Sequence, residues 1–289
     1  MDKYNEDFIQ YSEKKVKNET KHLALYFVVH ITLYIVLLFF LIFFVWYTVF
    51  ISTHRFYAVA GPSMKYTLNR NISDNDRTTA DDAVYVDKIS TPNLFDIIVI
   101  EEPNEESKIK RLMAVEGDYI TVANDGEYFY FYRIPSEADL STFSDEEAKM
   151  IETTGENGYQ IRGYEDWREF RTASSLIEVE AGGETKSNQY ENNFYNTFLR
   201  AYVDNDFQSN GLNYHISENG LIYVQVPEGQ FFYMGDNRGH STDARENGFC
   251  DWEYIVGRAE FIVYDYNFGN RIWEVIKFYF SEMEKFFAR

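Results

Sequence analysis

The chain has a single cysteine, Cys250, which excludes an intramolecular disulfide and any metal site built on a cysteine cluster. Histidine is nearly as scarce. Its five copies show no ligand spacing such as His-Glu-x-x-His, so no metal and no cofactor is expected. Positive charge is the third deficit: 27 Lys and Arg stand against 47 Asp and Glu, a formal net charge of −20. Without a basic patch to neutralise phosphates, nucleic acid is excluded as a partner. Such a surface is also a poor match for anionic lipid.

Charge of either sign is missing from one stretch. Between Leu23 and Ile51 there is no Asp, Glu, Lys or Arg. As a helix that run would extend ~43 Å at ~1.5 Å per residue, against a hydrocarbon core of ~30 Å. Trp46 and Tyr47 lie where an interfacial aromatic belt would fall. Ala58-Val59-Ala60 resembles the small-residue site of a cleaved secretory signal, but such signals have apolar cores of only ~7–15 residues. A retained anchor is therefore expected. Lys3, Lys14, Lys15, Lys17 and Lys21 precede the run and only Arg55 closely follows it, which puts the amino-terminal side in the cytoplasm. The division is then a cytoplasmic tail at 1–22, an anchor at 23–51 and an extracytoplasmic domain at 55–289, which carries the negative charge.

Past the anchor the apolar pattern shortens to strand length. Val84–Ile89 and Asp96–Ile100 are rich in branched residues and bounded by Thr91-Pro92-Asn93 and Glu102-Pro103-Asn104. Tyr119–Ala123 and Glu127–Tyr132 flank Asn124-Asp125-Gly126, a hairpin signature. With Leu221–Val226 and Phe261–Tyr264, these predict a mostly-β, sandwich-like or barrel-like body. Residues 136–215 are acidic and rich in Ser, Thr and Asn, and read as an inserted variable subdomain. Within it, Ser144-Asp145-Glu146-Glu147 can cap a short helix. Residues 271–289 form an amphipathic helix, with Trp273, Ile276, Phe280, Met283 and Phe287 spaced by three or four. That stripe either packs on the domain or dips into a bilayer surface.

Two distant segments bear on chemistry. Gly61-Pro62-Ser63-Met64 follows the anchor, and Lys110-Arg111 opens the apolar run to Asp118. A serine hydroxyl is a poor nucleophile until a base takes its proton. His54 sits at the membrane edge and His240 in a loop-like run, so neither is a convincing base. A lysine can act only when neutral, which needs its pKa brought down from ~10.4 by apolar burial. Leu112, Met113 and Val115 can supply those surroundings. A strand lysine turned to solvent is the plain alternative.

The third piece is Gly235-Asp236-Asn237-Arg238-Gly239-His240-Ser241-Thr242-Asp243-Ala244-Arg245. Together, the three motifs resemble those of the bacterial type I signal peptidases, or leader peptidases, over the anchor and most of the domain outside 136–215. The family's Gly-x-Ser-Met-x-Pro-Thr-Leu motif reads here Gly61-Pro62-Ser63-Met64-Lys65-Tyr66-Thr67-Leu68, with Tyr66 for proline. Its Lys-Arg-x-x-Gly-x-Pro-Gly-Asp motif maps onto 110–118, with Ala114 and Glu116 as departures, and Phe95 stands where glycine is usual. The resemblance implies Ser63 as nucleophile, Lys110 as general base and Ser241 as the hydroxyl orienting that base. Asp243, Arg245 and Asp236 become structural support. It also implies removal of signal peptides from exported preproteins after an Ala-x-Ala-like site at the bacterial cytoplasmic membrane. Two alternatives stay open: a self-cleaving SOS-repressor-type Ser/Lys protease, against which the anchor and the acidic charge stand, and a catalytically inactive anchored binding protein.

Overall fold

The structure, a computed structural model, describes residues 2–65, 67–124, 129–148, 193–203 and 211–288. It separates into two compact units, residues 1–53 and 54–289. The first is one helix, α1 (Asp2–Thr53), long and apolar enough to cross a membrane. The helix runs on through the polar residues before Leu23, because its backbone bonding is local and does not depend on hydropathy. Within the apolar run the threonine hydroxyls turn back onto the helix. Thr32 and Thr48 donate to the carbonyls of Val28 and Phe44, at 2.9 Å each, so they need no outside partner.

The second unit is built from two antiparallel sheets. Its strands are β1 (His54–Val59), β2 (Asp82–Asp87), β3 (Ile97–Ile100), β4 (Lys108–Val115), β5 (Tyr119–Asn124), β6 (Phe129–Ile134), β7 (Tyr214–Ile216), β8 (Ile222–Gln225), β9 (Gln230–Met234), β10 (Cys250–Asp251) and β11 (Ile255–Val263). The larger, seven-stranded sheet has the order β1-β2-β11-β3-β4-β9-β10, and the four-stranded sheet the order β6-β5-β8-β7. The mostly-β expectation holds.

The larger sheet is covered on both faces, which explains why β3 reads as an unbroken apolar run. Ile98 and Ile100 pack with Leu112, Phe232 and Val224 in one cluster, while Ile97 and Val99 join Met64, Leu68 and Ile262 in another. Register shifts at Leu112/Ala114, Ile255/Gly257 and Ala259/Phe261 add bends that let the sheet curl. Gly257 has no room for a side chain: a Cβ there would fall 2.0 Å from the Asp87 carbonyl oxygen.

The β5–β6 pair keeps the hairpin register, Tyr119 opposite Ile134 through Asn124 opposite Phe129, while Asp125-Gly126 lies outside the described residues. Most of 136–215 also lies outside them. Its described ends include α2 (Asp145–Ala148), where the Ser144 and Glu147 side chains each accept from the other's backbone N–H, at 3.3 and 2.9 Å, as a capping box. They also include α3 (Arg200–Val203) and the turn before it, which places Phe194 and Phe198 in the cluster around Phe232. At that end the segment is part of the main core.

Two helices complete the unit, α4 (Ala244–Asn247) and α5 (Phe268–Phe287). On α5 the buried residues are Val275, Phe278 and Tyr279, with the Phe278 ring stacked 5.0 Å from that of Phe261. The stripe read from the sequence is not the one that packs: Trp273, Phe280 and Phe287 are 58, 51 and 75% exposed.

Candidate active site

Ser63 stands at the head of a loop held on every side. Gly61 has φ +79°, a conformation glycine adopts without steric cost, and Pro62 then fixes the entry to the turn. The Lys65 N–H donates to the Pro62 carbonyl at 2.9 Å and the Leu68 N–H to that of Met64 at 2.8 Å. Met64 and Leu68 are fully buried, so they anchor the loop while Ser63 keeps partial exposure. The buried Asn69 amide donates to the carbonyls of Val59 (2.6 Å) and Gly61 (3.0 Å), and its oxygen accepts from the Asp82 N–H at 3.0 Å. One side chain thus ties the loop to β1 and β2. Sequence reading missed Asn69; its position just past the serine motif was the available signal.

Lys110 projects from β4, opposite Ile98 of β3. Its Nζ donates to the Ser63 Oγ at 2.9 Å and to the Ile109 carbonyl at 3.1 Å. The lysine is 6% exposed. Burial pulls its pKa down from 10.5 to about 8, the pull being partly opposed by the negative charge of Asp243 and Asp236 and reinforced by Lys108 and Arg245. The amine is thus beside the Ser63 hydroxyl, with its pKa drawn toward neutrality.

The next residue, Arg111, is braced by a carboxylate 125 positions away. Its Nε and Nη2 meet the two oxygens of Asp236 at 2.8 and 2.5 Å, and its Nη1 donates to the Phe95 carbonyl at 2.7 Å. Thr67 Oγ1 donates to the same carboxylate. Arg111 and Asp236 are 1 and 2% exposed. A forked pair of this kind is rigid, and here it locks the serine loop, β4 and the 235–245 segment together. The Asn237 N–H adds a bond to the Ser63 carbonyl at 3.0 Å. The roles of Arg111, Thr67 and Asn237 were not read from the sequence, although all three lie inside the motifs. Phe95 has φ +71°, which accounts for the glycine usual at that place in the family pattern.

Asp243 is wholly buried and caps α4. Arg245 Nε and Nη2 reach its oxygens at 2.8 and 2.9 Å, and the Gly235 N–H donates to it at 2.9 Å. Burial works against the Asp243 charge, but Arg245 and these donors outweigh it and hold the carboxyl below its usual range. Ser241 lies beside them, buried. Its Oγ lies close enough to Asp243 to help hold that carboxyl charged, while the two bonds of Lys110 Nζ go to Ser63 and Ile109. His240 Nδ1 is 3.3 Å from the Asn237 Oδ1, and the His54 ring lies against Phe278. Among the described residues, no cluster of three or more His, Cys, Asp or Glu could hold a metal ion.

The serine and lysine open into a cleft of about 490 Å³ whose walls include Ala58, Ala60, Lys108 and Thr242. Gly235 forms part of its support. A Cβ there would lie 2.5 Å from the Ser63 carbonyl oxygen and closer still to the Ser241 hydroxyl. Gly235→Ala should therefore push the serine loop away from Lys110 and reduce activity at least about a hundredfold, the scale of a 1 Å misplacement. Measuring kcat/KM beside a melting curve checks this; a variant with wild-type kcat/KM would show that the contact yields freely.

A family model for signal peptidase, peptidase S26, matches residues 28–264, and the chain belongs to that family. The signal peptidase I of Aquifex aeolicus is 31% identical over 185 residues, covering 61% of this chain and 64% of that protein. That of Rickettsia typhi is 29% identical over 175 residues, covering 59 and 52%. Thus the chain spans about half the length of the rickettsial relatives it matches. A crystal structure of a signal peptidase I from Enterococcus faecalis aligns with 59% of this chain and 97% of its own, at 19% identity and a TM-score of 0.28.

Proposed function

We propose that this protein is a membrane-anchored serine endopeptidase that removes amino-terminal signal peptides from exported preproteins after an Ala-x-Ala-like site. The observation that carries the reading is the 2.9 Å bond from a buried, pKa-depressed lysine to a serine at the mouth of a cleft. Ser63 Oγ attacks the carbonyl carbon of the scissile bond while its proton passes to Lys110 Nζ. The Ser63 backbone N–H donates to no acceptor among the described residues and is available to the oxyanion. Gly61, two positions earlier, offers no side-chain donor. Lys110 gives its proton to the departing amine as the C–N bond breaks. Water then loses a proton to Lys110 as it attacks the acyl ester, and Lys110 returns that proton to Ser63 Oγ as the ester C–O bond breaks, releasing the new carboxyl end. Asp243 with Arg245, and Arg111 with Asp236, are positioning pairs behind this exchange.

In this reading α1 anchors the enzyme through residues 23–51, residues 1–22 face the cytoplasm, and the domain from 55 onward works outside. Holding enzyme and signal at one membrane depth raises their effective concentration. Incubating the detergent-solubilised full chain with a test preprotein, and mapping the new amino terminus, tests the activity. No processing by the wild type would overturn it.

The pH profile tests the base. Lys110 must be neutral to act, so kcat/KM should rise about tenfold per unit below pH 8 and level off above it. A rise centred near pH ~6.5 that disappears on replacing His240 would point to histidine instead.

A further inference from the structure

α5 presents apolar residues in two directions. Its inward row, Val275, Phe278 and Tyr279, packs on the domain, and Arg271 fastens the start of the helix. Arg271 Nε donates to the Tyr85 hydroxyl at 2.8 Å, and its guanidinium lies 4.2 Å over the Phe56 ring. Trp273, Phe280 and Phe287, seven positions apart, form an outward row. Ile272 and Phe286, at its flanks, are 44 and 74% exposed. A helix that had only to cover the sheet would carry charge there.

We propose that this outward row of α5 lies in the interfacial layer of the bilayer that α1 crosses. The proposal rests on the anchor reading above. Two observations select lipid as the occupant. His54, three residues past the end of the anchor at Ile51, has its ring 5.8 Å from that of Phe278, in the middle of α5. Charge is the second. In a chain of net charge −20, α5 is balanced, with Arg271, Lys277 and Lys285 against Glu274, Glu282 and Glu284. The Lys277 ammonium lies 5.8 Å over the Trp273 ring, at the edge of the row rather than across it. A neutral helix with Trp and Phe outward inserts by apolar burial and needs no anionic lipid.

Spin labels on single introduced cysteines in the full-length protein, reconstituted in phosphatidylcholine vesicles, test this. Cys250 is buried and leaves the introduced thiols as the labelling sites. Labels go at Phe280→Cys, at Val36→Cys in the apolar helix and at Glu218→Cys in the exposed turn between β7 and β8, and collisions with oxygen and with a water-soluble nickel complex are compared. The expected result is a severalfold preference for oxygen at positions 36 and 280 and for nickel at 218. Oxygen preference at 36 with nickel preference at 280 overturns the interfacial role and leaves the anchor standing. Nickel preference at 36 overturns the anchor and the inference with it. Protection of 280 from both agents, with dipolar broadening between labels, assigns the row to a second copy of the chain and also overturns the proposal.

Discussion

Ser63→Ala should lower preprotein cleavage roughly ten-thousandfold or more, and Lys110→Met should do the same, because groups acting as one unit fail together. The double variant is expected to be hardly worse than either single one. Stability should separate the two. Ser63→Ala removes a partly exposed hydroxyl and should leave the melting temperature nearly unchanged. Lys110→Met should raise it at pH 7. The folded-state pKa of about 8 lies below the free value of 10.5, so burying the amine costs the fold ~3 kcal/mol wherever both states are protonated. That cost is fully present below pH 8 and fades between pH 8 and 10.5, where the folded lysine has lost its proton and the unfolded one still holds it. The stability gained by Lys110→Met should fade over the same window. A Lys110→Met enzyme that cleaves normally would sink the base assignment, whatever its stability.

The second large effect concerns the pair behind the site. Asp243→Asn leaves Arg245 buried with its charge uncompensated, and Arg245→Met leaves Asp243 in the same position. Each should cost ~3–5 kcal/mol, a fall in melting temperature on the order of 10 °C in a domain of this size. Activity should be lost together with stability. Calorimetry beside the cleavage assay decides: an unchanged melting curve with activity abolished would move Asp243 from a positioning role into the chemistry. Replacing both residues by apolar ones of similar volume should recover much of the stability without the activity.

The nearness of Ser63 to Lys110 was more legible in the sequence than the scaffolding around them. Ser63 and Lys110 could be paired because both belong to motifs whose order is informative, and the 2.9 Å bond between them accords with that pairing. The Arg111–Asp236 fork could not be read. A charged residue in a strand looks like a solvent-facing one until its partner, far along the chain, is known. Strands were easier to find than their ends: Val84–Ile89 became Asp82–Asp87, because the ladder with β1 and β11, not hydropathy, sets the boundaries. On α5 the periodicity grouped Trp273, Phe280 and Phe287 on one face correctly. It could not tell that Val275 and Phe278, on the other side, would win the contact with the sheet.

The bonds from Asp236 to Thr67 and Arg111, and from Asn237 to the Ser63 carbonyl, tie early-made residues to ones synthesised far later. A chain emerging amino terminus first therefore exposes Ser63 long before the parts that hold it in place exist. Meanwhile its own Ala58 and Val59 are drawn into the ladder opposite Ala83 and Asp82, where an extended backbone is already taken. On the proposed function, the order of synthesis keeps the serine idle until the chain is nearly complete. Until the last third of the chain arrives the serine lacks the bonds that brace its loop, and by then the backbone of Ala58 and Val59 is already paired as a strand.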